Sequence, residues 1–338
     1  MSLNALWFLL IAVLFIGFFV LEGFDFGVGS VTKFLGRNDT ERQVYMNTIG
    51  PFWDANEVWL ITAAGSMFAA FPHWYATMFS GFYIPLVFML LALIIRGVSF
   101  AFRGEIDQQR WRNTWDWALF VGSFLPPILW GVVLGNFMTG MPIDGDKEMV
   151  GGFAQFLHPF ALLSGVMFLF LCLVHGLQFI TIRTTGDLQE RARRVGKKIA
   201  PFTLVLVIAF FVMGAIKTDI FTYHGNGWML LPILATVALF VAALLNRKKR
   251  DGWAFAMTSF TIILLTASIF IGMFPRVMIS SINEAYDLTI YTAASGDYTL
   301  RLMSYLSLGL LPFVIGYQGW SYYVFRHRVK NDKETLEY

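Results

Sequence analysis

Two pairs of carboxylates interrupt stretches of sequence that are otherwise apolar. Glu22 and Asp25 lie within Leu6 to Val31, and Asp54 and Glu57 open a run from Trp53 that reaches Phe71 without another charge. Each pair is spaced i, i+3, which puts its two members on one helix face. Acidic side chains inside a membrane-spanning stretch are costly, so they turn toward a protein interior or a wet path and mark proton or ion movement. Closely spaced carboxylates that share protons or perturb one another can relay protons.

The rest of the composition supplies the membrane. The 338 residues are 57% hydrophobic and only 14% charged, with a mean hydropathy of +0.62, whereas a soluble domain carries about 25% charge. A bilayer core of about 30 Å takes about 20 apolar residues per helix. Nine segments qualify: 5–31, 53–71, 75–101, 115–138, 157–182, 200–216, 228–246, 253–274 and 302–325. Alternation places 20 Lys and Arg residues on one side, including Arg247 to Arg250 and Arg326, Arg328, Lys330 and Lys333. Four fall on the other side (Lys147, Lys217, Arg276 and Arg301), and Arg96 is left inside the third segment. By the positive-inside rule the basic side is cytoplasmic, with the N-terminus outside and the C-terminus inside. No Lys or Arg precedes Lys33, so the first segment is expected to persist as a span and not to act as a secretory signal. The net charge of +3 follows topology and gives no reason to expect nucleic acid. The outer loops, 139–156 and 275–300, read as solvated connectors.

Depth along the spans brings the chemistry together. At 1.5 Å per residue, the first segment reaches Asp25 near the inner edge, with Glu22 a turn deeper. Asp54 and Glu57 enter from the same side, Arg96 returns to that level, and Asp116, flanked by Trp115 and Trp117, opens the fourth segment there. Six ionisable residues are therefore expected in the cytoplasmic half of one bundle. They can serve as a proton path through Asp54, Glu57, Asp25 and Glu22. The alternative is structural: Asp54 caps its helix, Arg96 neutralises a carboxylate, and Trp53, Asn56 and Asp116 support the corner.

A weak repeat organises the chain. Trp117-Ala118-x4-Ser123-Phe124 reads against Trp253-Ala254-x4-Ser259-Phe260, and Leu21-Glu22-Gly23-Phe24-Asp25-Phe26 against Val174-His175-Gly176-Leu177-Gln178-Phe179. Four helices per unit preserve orientation, so the expected fold is all-α, two parallel-repeat four-helix bundles plus one additional helix. The first bundle, 1–140, carries the acidic cluster. The second spans 141–275, and 276–338 holds an external loop, the ninth helix and a basic tail. In the second copy the acids become His175 and Gln178.

The histidines do not suit a haem in this chain. A b-type haem needs His or Met ligands on facing helices at matching depth, whereas His73 and His224 lie at outer loops, His327 in the tail, and His158 and His175 at opposite ends of one segment. His175 reads better as a satisfied core residue. No metal or cofactor site is expected.

Several strings together resemble subunit II of the cytochrome bd quinol oxidases. They are Gly23-Phe24-Asp25-Phe26-Gly27-Val28-Gly29, Phe34-Leu35-Gly36-Arg37-Asn38-Asp39-Thr40-Glu41-Arg42, Trp53-Asp54-x-Asn56-Glu57-Val58-Trp59-Leu60, Phe79-Ser80-Gly81-Phe82-Tyr83, Arg110-Trp111-Arg112-Asn113-x-Trp115-Asp116 and Gly122-Ser123-Phe124-x-Pro126-Pro127. The dense part of the resemblance covers the first 140 residues. It implies a nine-helix, haem-free subunit in the bacterial cytoplasmic membrane, paired with a larger haem-bearing subunit I that holds two b-type haems, one haem d and the quinol site. A small single-helix subunit is an allowed third member. The complex reduces oxygen to water, and the acid of the Trp-Asp-x-Asn motif, here Asp54, is implicated in proton delivery. The connection Lys217 to Gly227 is short where some relatives carry a long insertion, which counts against a quinone within this subunit. A proton- or ion-coupled transporter and a purely structural membrane scaffold are the alternative functions.

Overall fold

The computed structural model describes residues 2–329; the tail residues Lys330 and Lys333 lie outside them. Eleven α-helices follow in order among the described residues: α1 Leu3–Leu35, α2 Asp39–Ile49, α3 Trp53–Ala70, α4 Pro72–Gly81, α5 Tyr83–Phe102, α6 Gln109–Thr139, α7 Pro159–Arg183, α8 Gly186–Lys217, α9 Leu230–Arg247, α10 Asp251–Met273 and α11 Asp297–Val324. Eight of them, α1 and α5 to α11, are long and apolar enough to cross a membrane. The expected nine spans are corrected to that extent. The remaining segment is the 18-residue α3, helical where expected but made more polar by Asp54, Asn56 and Glu57 in its first turns. The third expected segment divides at Phe82 into α4 and α5. Helices α6 and α8 begin well before their apolar cores, because hydropathy marks the bilayer and not the helix end.

Helix α2 was not anticipated, although its start is written in the sequence. Asn38 Oδ1 accepts from the Glu41 N–H at 2.8 Å, and Glu41 Oε2 accepts from the Arg37 N–H at 2.7 Å. Side chain and backbone thus exchange bonds much as in a capping box. The helix then buries Val44, Tyr45, Met46 and Ile49 against the ends of the spans that hold Leu35, Phe179 and Leu188.

Helix α1 is the axis of the fold and packs on α3, α6, α7 and α10. Lipid tails are as apolar as a helix face, so helices associate through close packing and hydrogen bonds more than through hydrophobic transfer. Two devices supply that packing. At the α1–α7 crossing, Gly27 meets the backbone of Cys172 and Gly176, so a Cβ on Gly27 or Gly176 would strike the opposing main chain. Further out, Phe15, Phe18 and Phe19 ring Trp130 with centroids 5.7, 5.8 and 5.5 Å away, all edge-on. The buried apolar cluster runs without a break from α1, α3 and α6 into α7, α8 and α10.

The outer loops are not solvated connectors. Strands β1 (Arg276–Met278) and β2 (Leu288–Thr289) pair antiparallel, and Met141 exchanges backbone bonds of 2.8 Å with Ile279 and Ser281. Met141, Ile143, Val277, Met278, Leu288 and Ile290 are buried beneath, while Arg276 forks onto Asp219 at 2.7 and 3.0 Å. The loops form a packed cap, and its surface acids masked the apolar residues between them. Helix α11 stands at the rim, with only 6% of its span buried.

Candidate functional site: a buried carboxylate cluster

Arg96 is the centre of the site. It projects from α5, is wholly buried, and pairs with Glu22 of α1 and with Glu57 of α3, the latter at 2.8 Å. Its guanidinium also lies 4.9 Å above the Phe26 ring. Asp25, one turn from Glu22 and fully buried, accepts a 2.7 Å bond from Asn56 Nδ2. Three carboxylates thus surround one guanidinium. Carboxylates therefore outnumber the guanidinium at this site by two.

The cluster has one open side. The Glu57 side chain keeps 21% of its surface exposed, and Asp54, one turn toward the helix start, is exposed. Asp54 lines a cleft of about 350 Å³ with Gly50, Pro51, Trp53, Gly97 and Phe100. Trp53 stacks on Phe100 with centroids 5.1 Å apart and planes 10° from parallel, and its ring covers Gly97, where a Cβ would stand 3.1 Å from it. Asp54 does not cap α3: the N-cap position is Phe52, and no side chain caps there. Asp54 sits in the first turn, where the helix dipole favours an anion.

Of the six ionisable residues expected together, the structure assembles Glu22, Asp25, Glu57 and Arg96, with Asp54 at the mouth. Asp116 stands apart. It is buried and accepts from Arg42 and Arg103, each at 2.7 Å, and Arg103 reaches on to Asp39 at 3.4 Å. This second network clamps α2, the end of α5 and the start of α6. Nearby, Arg191 bonds the Glu41 carboxylate at 2.6 Å, and that hydrogen bond holds its pKa below the usual range.

Sequence reasoning missed three residues of the site. Asn56 Oδ1 accepts from Tyr322 Oη at 2.8 Å and from Gln318 Nε2 at 3.3 Å, both on α11, and Trp59 Nε1 donates to Gln318 Oε1 at 2.8 Å. The available signal was the i, i+4 spacing of Gln318 and Tyr322, two polar groups on one face of an apolar helix.

Three histidines bond within the protein. His175 is buried with Nε2 bonded to the Val20 carbonyl at 3.0 Å and Nδ1 to Thr258 Oγ1 at 2.7 Å. Its ring stacks on Phe255 at 4.6 Å. His158 caps α7 through Nδ1 and meets Thr139 through Nε2, and His224 bonds the Phe274 carbonyl. Both ring nitrogens of His175 and His158 are thus spent on the protein itself.

A helical multi-span membrane protein with a buried carboxylate cluster opening to one face is the class defined by this arrangement. The family model for cytochrome bd terminal oxidase subunit II matches residues 3–325. Among curated relatives, a Bacillus subtilis cytochrome bd ubiquinol oxidase subunit 2 is 54% identical over 337 residues, covering 100% of this chain and 99% of the relative. An Escherichia coli cytochrome bd-I ubiquinol oxidase subunit 2 is 37% identical over 370 residues, covering 99% and 97%. In fold, the chain is similar to a solved chain of the bd oxidase from Geobacillus thermodenitrificans, with a TM-score of 0.77, 18% identity and coverage of 96% and 99%. The chain therefore belongs to the cytochrome bd terminal oxidase subunit II family. It is a subunit of an oxidoreductase complex of the respiratory chain, and a subunit II implies a partner subunit I.

Proposed function

We propose that this chain is the haem-free subunit of a quinol:oxygen oxidoreductase, that it stabilises subunit I, and that it contributes a cytoplasmic proton-uptake path. In this reading the larger subunit holds two b-type haems, haem d and the quinol site, and a small single-helix subunit can join the pair. The chain lies in the bacterial cytoplasmic membrane with its N-terminus outside and its C-terminus inside, and its spans divide into the duplicated bundles 1–140 and 141–275, followed by 276–338. Protons enter at Asp54, pass Glu57, and reach the Glu22–Asp25 pair beside Arg96.

One observation carries this reading: the line from exposed Asp54 through half-open Glu57 to closed Glu22 and Asp25. A structural reading has its own support, because Arg96 pairs two of those carboxylates and so clamps α1, α3 and α5 together. The Asp54→Asn variant separates the two. Asn keeps the size and loses the titratable group, and Asp54 makes no ion pair whose loss would loosen the fold among the described residues. Turnover is expected to fall by about 10²-fold or more, the scale of a lost proton-transfer group, with haem content intact. Unchanged turnover ends the relay reading, and loss of haem together with activity assigns the site a structural role. A transporter would instead purify without a haem-bearing partner.

A further inference from the structure

Helix α11 buries little of itself, yet its cytoplasmic end is pinned by polar contacts. Arg183 Nη1 donates to the Phe325 carbonyl, and the Val329 N–H donates to the Arg183 carbonyl at 2.7 Å. Arg183 also lies over the Phe52 ring at 5.3 Å. Phe52 in turn stacks on Tyr322, with centroids 4.4 Å apart and planes 6° from parallel. The Tyr322 hydroxyl is thereby delivered to Asn56.

The donor and acceptor types then determine one orientation. Trp59 Nε1 can only donate, so Gln318 must present Oε1 to it and Nε2 to Asn56. Asn56 must answer with Oδ1, which also accepts from Tyr322. Its remaining amide group, Nδ2, is left facing Asp25 Oδ2 at 2.7 Å. Flipping the Asn56 amide would set Nδ2 against the Gln318 amide donor and Oδ1 against a carboxylate oxygen. Both contacts are unfavourable.

We propose that Gln318 and Tyr322 of α11, with Trp59, are positioning residues that lock the Asn56 amide so that it donates to Asp25 and holds that carboxyl ready for proton transfer. The inference rests on the proton-path reading for its effect on turnover, but not for its geometry. Helix α11 thereby acts on the chemistry from the rim of the subunit, through hydrogen bonds and not through bulk packing. A displacement of its cytoplasmic end releases the Asn56 amide and retunes Asp25.

The test uses the complete oxidase complex. Tyr322→Phe preserves the stack on Phe52 and removes only the hydroxyl, and Gln318→Met preserves length and removes the amide. Each single variant is expected to lower turnover by about two- to tenfold, the factor one hydrogen bond is worth. The pair is expected to match Asn56→Ala, and adding Asn56→Ala to the pair should cost nothing further, since residues acting through one group are not additive. In parallel, the infrared carboxyl or carboxylate stretching band of Asp25 is identified by its loss in Asp25→Asn. It is expected to shift in the Tyr322→Phe/Gln318→Met variant. An Asp25 band that stays in place, or losses that multiply independently of Asn56, overturns the proposal. If Asp25→Asn itself leaves turnover unchanged, the proton path through Asp25 fails, while the band still decides the positioning. If the double variant does not assemble, Tyr322→Phe alone carries both readouts.

Discussion

Replacing Arg96 by Leu should be among the most damaging single changes in the chain. The guanidinium is wholly buried and balances Glu22 and Glu57, with Asp25 close by. Its loss leaves three carboxylates in the interior without a cation. Breaking one buried ion pair from one side costs about 3–5 kcal/mol, a large part of the roughly 5–15 kcal/mol that holds a typical domain. At about 1.4 kcal/mol per factor of ten, the ratio of folded to unfolded protein falls by about 10²- to 4 × 10³-fold relative to the parent. The melting temperature of the detergent-purified complex should drop on the order of 5–10 °C. Arg96→Leu/Glu22→Gln should recover about half of that loss. It removes the fully buried charge, while Glu57 can turn to its open side and Asp25 keeps the Asn56 donor. Arg96→Lys should fall between, because an ammonium cannot span two carboxylates as a guanidinium does. The assay is thermal unfolding followed by haem absorbance, with purification yield alongside. A stable Arg96→Leu complex, or a double variant no better than the single, would refute the charge-balance reasoning.

Two further outcomes follow from packing and from charge. Gly176→Val should abolish assembly, because its side chain meets the α1 backbone at Gly27 and Val28, and overpacking against main chain exceeds the usual 1–3 kcal/mol; a normal yield of complex would show that α1 and α7 can separate. The Glu41 carboxyl is held low by its bond to Arg191, so its contribution to stability is present above the unfolded pKa of about 4.3 and is lost as pH falls through the lower folded value. Arg191→Met should therefore be less stable than the parent at neutral pH, and the difference should begin to narrow as pH falls below about 4.3, as read by melting temperature across pH.

Much of this molecule is legible in one dimension. Segment 53–71 could be placed beside segment 5–31 at the same depth, because a helix rises by a constant amount per residue and charge asymmetry sets its direction. That reasoning brought Glu22, Asp25, Glu57 and Arg96 to one level, and α1, α3 and α5 hold them there. The cap of α2 was also available in the local pattern from Asn38 to Glu41.

What depth could not supply was rotation. Asp116 shares the level of the cluster but turns away to Arg42 and Arg103. Gln318 and Tyr322 are far along the chain from Asn56, and only the placement of α11 brings them to it. The reason is the solvent. In water, a polar face and an apolar face tell a helix which way to turn. In lipid, both the outward and the inward faces are apolar, so composition says little about azimuth. Depth in the membrane was therefore determined by the sequence, while the partner of each buried polar group was decided by how the helices came to rest against one another.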